Sequence, residues 1–82
     1  MKVEKIMESI MEETGTTKAQ LGRAVGIEQD KRPSDVINKR MKQKNISVNV
    51  LSEMLGAMGY TMVIVPKGPK LKDGEYEVSI DE

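Results

Sequence analysis

Apolar residues at the start of the chain return every three or four positions. Val3, Ile6, Met7, Ile10 and Met11 share one stripe of a helix, while Glu4, Glu8 and Glu12 take the opposite side. Gly15 is a C-terminal stop signal for that helix. Thr17 and Gln20 have the spacing of a capping box, in which two side chains satisfy amide donors that a helix start leaves orphaned. A second helix over about residues 18–25 follows, ended by Gly26, with Ile27 as the apolar residue that pins the turn. Pro33 suits the first turn of a third helix, where its missing N–H costs nothing. At about 100° per residue, Ile37 and Met41 point to the core, with Ser34 and Lys44 near the edges of that face. Arg32, Asp35, Lys39 and Lys42 point the other way, flanked by Asn38 and Gln43.

Ser47 is a candidate N-cap for a fourth helix with two apolar stripes. One is Val48, Leu51, Leu55 and Met58; the second is Val50, Met54 and Ala57. That is more apolar surface than one packing partner covers. Gly59 closes the helix, and the β-branched run 60–65, bounded by Pro66, reads as a strand. Beyond the polar stretch "KGPKLKDG", Tyr76, Val78 and Ile80 alternate with Glu75, Glu77, Ser79 and Asp81, the pattern of a half-buried strand. The expected architecture is mainly α: four helices over residues 1–59, then a C-terminal β-hairpin over 60–82. An isolated hairpin is marginal in water, so the surplus apolar positions are assigned to a homodimer: Val50, Met54, Tyr60, Met62, Ile64, Tyr76, Val78 and Ile80.

Charge changes the picture more than composition does. The 82 residues carry 13 cations and 13 anions, yet residues 30–44 hold six Lys or Arg against two acids. Residues 1–16 and 66–82 each sum to −2. Cations gathered on the outer face of one helix in a neutral protein point to a polyanion. Cysteine and histidine are both absent, which removes disulfides, thiolate metal sites, the usual general base and the common nucleophile pairs. No enzyme activity, metal or cofactor is expected. Without a secretory leader or a long apolar run, the expected compartment is the cytoplasm, with no membrane partner. Seven methionines with no Phe or Trp imply a soft aliphatic core.

Two short helices around a turn, the second with a hydrophobic back and cations outward, have the geometry of a helix-turn-helix. "TKAQLGRAVGI", residues 17–27, resembles the first half of the Cro and lambda-repressor (XRE-type) helix-turn-helix family: Thr17, Leu21, Gly22, Val25, Gly26 and Ile27 match its cap, core, small, core, glycine and aliphatic places in order. Gly22 permits close approach of the third helix, and Gly26 permits the positive φ of a tight turn. "DVINKRMKQKNISVNVLSEMLGAMGYTMVIVP" is similar to the second half of small phage and mobile-element members. The resemblance spans about residues 3–65. It departs from the family in the turn, which is about four residues longer, "EQDK" or thereabouts, between Ile27 and Val36 or Ile37.

The resemblance implies a lambda-repressor-like domain whose third helix enters the major groove of double-stranded DNA while the start of the second meets a phosphate. Arg32 or Lys39 would then read guanine, Asn38 adenine, and Ser34 either. Asp35 would cap the helix, hold a neighbouring Arg, or accept from a cytosine amine, the structural roles ranking first. Lys18, Lys31, Lys42, Lys44 and the amide of Asn45 would contact phosphates and set orientation. The expected function is transcription regulation by a repressor or autoregulator that occupies a palindromic operator as a homodimer, with half-sites about 10 base pairs apart. An alternative is a protein-binding module, an antitoxin or a phage-encoded nuclease inhibitor, that reuses the fold and meets a toxin or nuclease through its acidic C-terminal segment.

Overall fold

The computed structural model describes residues 1–68 and 70–79. Four helices form where the apolar periodicity places them: α1 (Val3–Thr14), α2 (Lys18–Ala24), α3 (Pro33–Lys42) and α4 (Val48–Ala57), with a 3-10 turn at Gln29–Lys31 between α2 and α3. Helix α1 buries Ile6, Met7, Ile10 and Met11, the stripe read from spacing. It ends at Gly15 (φ 66°), whose N–H donates to the Glu12 carbonyl while Thr16 N–H reaches back to Met11 O at 2.9 Å. These bonds satisfy carbonyls that the helix end would leave open. At α2, Thr17 Oγ1 accepts from Gln20 N at 3.1 Å and Gln20 Oε1 accepts from Thr17 N at 2.9 Å. Ser47 Oγ caps α4 in the same way, accepting from Val50 N at 3.1 Å.

The core joins α1 to Leu21 of α2, to Ile37 and Met41 of α3, and to Leu51, Met54, Leu55 and Met58 of α4. Five of its eleven buried hydrophobic residues are methionines, whose unbranched thioethers fill gaps that branched side chains would leave. Helix α4 corrects the two-stripe reading. Its buried face is one stripe, Leu51, Met54, Leu55 and Met58, at the i, i+3, i+4, i+7 spacing of a single helix side. Met54, assigned to a dimer interface, is fully buried within the protomer, and Val48, assigned to the core stripe, is 68% exposed. Val48 is the first residue of the helix and lies beyond the reach of the packed face.

The C-terminal hairpin does not form: among the described residues no strand is present, and Ile80 and Asp81 of its second arm lie outside them. Residues 60–65 run without a ladder, and the second arm finds another neighbour. The Met1 ammonium donates to Glu77 O at 2.8 Å and to Ser79 Oγ at 3.2 Å, and Ser79 N donates to Met1 O at 2.9 Å. These are the bonds a parallel pair makes across one residue, Val78. A two-stranded ribbon alone is marginally stable, so pairing of the two arms has little to drive it. The segment instead runs beside α1 and α4. Between them lies an apolar groove of about 500 Å³, lined by Ile6 and Ile10 of α1, Leu51 and Leu55 of α4, and Tyr60 and Tyr76 among others. Burial, then the Glu13 carboxylate and Tyr60, hold the Tyr76 hydroxyl above the usual phenol range.

Candidate nucleic-acid interface

Helices α2 and α3 make the most extensive contact between elements in the molecule. A glycine is the reason they come so close. A Cβ on Gly22 would lie 2.5 Å from Pro33 Cβ and 2.9 Å from Pro33 O, so any side chain there pushes α3 outward. The turn begins at Gly26 (φ 86°), with Ile27 N–H donating to Gly22 O at 2.9 Å. The surplus "EQDK" residues fold on themselves as the 3-10 turn: Lys31 N–H donates to Glu28 O at 3.0 Å and Arg32 N–H to Gln29 O at 3.3 Å. The added length is thus absorbed locally.

Arg32 joins this turn to α3 in the left-handed region, φ 55° and ψ 74°, the one described non-glycine residue with positive φ. Pro33 crowds the right-handed conformation of the residue before it, and the Arg32 carbonyl must accept from Asp35 N at 3.0 Å and Val36 N at 3.1 Å to start α3. A left-handed side-chain-bearing residue costs about 1–2 kcal/mol. The guanidinium itself is free to swing, since its side chain is 84% exposed. It lies 4.0 Å from the Asp35 carboxylate, an exposed pair at the limit of ion-pair distance and worth little. Of the three roles open to Asp35, this contact corresponds to holding a neighbouring Arg, and the residue lies in the first turn of α3.

The residues projected outward, Arg32, Asp35, Lys39 and Lys42, are exposed, and Ser34, projected to the edge of the core face, is exposed with them. Asn38 is half-buried at the side nearest α2. Lys31 is exposed on the 3-10 turn, and Lys44 and Asn45 are exposed beyond the end of α3. Lys42, Lys44 and Asn45 line a hollow together with Lys2, Glu4 and Ser79, so the N-terminus and the tail border the C-terminal end of the face. They do not cover Arg32, Lys39 or Lys42.

One contact was not legible in the sequence. Lys18 Nζ donates to Asn38 Oδ1 at 2.6 Å in a partly buried site, linking the first residue of α2 to the middle of α3. Spacing marks each residue separately; their pairing depends on the path of the turn, which spacing alone leaves open. Arg23, exposed in the last turn of α2, is a further cation beside this face. Its charge beside the turn is its signal in the sequence.

The positions assigned to a dimer divide in two. Met62, Ile64 and Val78 are exposed, Ile64 completely so, with Val63 and Val65 adding to the run. Val50, Tyr60 and Tyr76 are half-buried against the protomer's own core, Met54 is inside it, and Ile80 lies outside the described residues. No described helix is long and apolar enough to cross a membrane. Comparison of the chain with protein-family models, with curated proteins and with solved structures gives no match.

Proposed function

We propose that the protein is a sequence-specific DNA-binding repressor in which α2 and α3 act as a helix-turn-helix of the Cro and lambda-repressor type, with α3 in the major groove. One observation carries the reading: the outward face of α3, with Arg32 at its head and Lys39 and Lys42 along it, stands in solvent, uncovered by the chain's own C-terminal segment. Phosphate contacts from Lys18, Lys31, Lys44 and Asn45 would orient it. A single face offers few base contacts, so the reading includes a homodimer on a palindromic site, joined through the exposed run at 62–65 and Val78. Repression is then by occupancy of the promoter.

Selection of bound duplexes from a random pool, read with the molecular mass in solution, tests it. The expected result is an enriched palindrome with half-sites about 10 base pairs apart, bound by a particle of twice the chain mass. Neutralising about 4 to 6 phosphates per dimer gives a slope of log affinity against log salt near −4 to −5, and a flat response sinks the reading. Lys39→Ala and Arg32→Ala should weaken binding, whereas removal of residues 60–82 should act mainly on dimerisation.

The exposed apolar run also supports a second reading, a module that adds this segment to the sheet edge of a partner protein such as a toxin or nuclease. Under that reading Ile64→Glu abolishes activity while Lys39→Ala leaves it intact.

A further inference from the structure

We infer that Lys18 and Asn38 work as one composite reader that presents only hydrogen-bond donors and selects guanine, in place of the adenine expected of an asparagine alone. The inference rests on the proposed entry of α3 into the major groove. Its starting point is the 2.6 Å contact between Lys18 Nζ and Asn38 Oδ1. An ammonium group has three donors and no acceptor, so the contact settles which end of the amide faces α2. Turned the other way, Asn38 would set its own NH2 against NH3⁺. The contact has the short length of a charge-assisted bond, and partial burial weakens competition from water.

The helices that carry the two residues are held together where Pro33 sits directly on Gly22, which has no side chain of its own. The pair is therefore built into the α2–α3 packing. With Oδ1 engaged, what remains for a base is Nδ2–H2 and the two unused ammonium hydrogens. Guanine offers two acceptors in the major groove, O6 and N7. Adenine pairs the acceptor N7 with the donor N6, which needs an amide oxygen to receive it. An oxygen already bound to a cation is a poor receiver, and the positive charge beside it repels the adenine amino group. Lys18 in this account both orients the Asn38 amide and adds its own donors to the reading face, in place of a phosphate contact, which would carry no sequence information.

Duplex selection with the wild type, Lys18→Met, Lys18→Arg and Asn38→Ala tests this, with thermal unfolding to show that each variant is folded. The position that loses its preference in Asn38→Ala is the one the pair reads. There the wild type and Lys18→Arg, which keeps a donor-only partner, should enrich guanine. Lys18→Met, which frees the oxygen, should turn the preference to adenine by about tenfold or more. Adenine in the wild type, guanine retained in Lys18→Met, or an equal loss of affinity for all duplexes in Lys18→Met would each overturn the inference and leave the DNA reading standing. Enrichment of no duplex by the folded wild type would overturn both.

Discussion

The α2–α3 unit and the C-terminal segment are both polar and apolar mosaics of similar length, and they differ in where their backbone bonds go. In the first, the backbone devices are local: a capping box from Thr17 to Gln20, a glycine turn, a 3-10 turn that absorbs extra length, a proline at the head of α3. Each needs only its neighbours in sequence. In the second, strict alternation in 75–79 and a β-branched run at 60–65 announce strands, but a ladder needs a partner that the sequence pattern does not name. Among the described residues, Met1 pairs with this segment through its backbone. Patterns that close on themselves become structure in a single chain; patterns that require a distant edge do not.

That contrast can be broken at its strongest point first. Leu21→Ala removes a side chain with no exposure from the junction of α2 with the core and should cost about 2–5 kcal/mol in denaturant unfolding. Ile64→Ala, at a fully exposed site, should stay within about 0.5 kcal/mol in dilute solution. A matching loss at Ile64, independent of concentration, would mean the segment belongs to the protomer core.

Gly22→Ala probes the close approach of the two helices. With the Pro33 carbonyl oxygen 2.9 Å from the added carbon, no flexible neighbour can give way, so a loss of about 1–3 kcal/mol is expected, with α3 displaced. Thr17→Ala removes one half of the capping box and should cost about 1 kcal/mol, read as an earlier unfolding midpoint with unchanged slope.

The smallest effect is electrostatic and lies in the C-terminal segment. The Tyr76 phenol is raised above its ordinary 10.0 by burial, Glu13 and Tyr60, so the fold favours its neutral form. That contribution is complete below pH 10 and is lost as pH climbs through the folded-state value. Tyr76→Phe should therefore shrink the loss of stability on the alkaline side, and an unchanged alkaline limb would show that Tyr76 is not packed as described.

The same physics explains what could be read in advance. The α1 stripe, the caps at Thr17 and Ser47, the stops at Gly15, Gly26 and Gly59 and the outward set Arg32, Asp35, Lys39 and Lys42 all follow from spacing within one or two turns. Two things did not follow. Helix α4 is apolar on so much of its circumference that periodicity allowed two stripes, and only packing chose the one containing Met54. The link between Lys18 and Asn38 spans twenty residues and a turn of unusual length, so its two halves were visible and their meeting was not.

The thioether-filled interior has a chemical consequence. Oxidation would convert each methionine sulfur to a polar sulfoxide, and such a group is poorly tolerated among aliphatic side chains. Met7 and Met54, with no exposure, are shielded from peroxide for as long as the helices stay assembled, whereas Met1 and Met62 stand open to it. The order in which the seven sulfurs oxidise therefore records how often, and at which end, this small protein breathes.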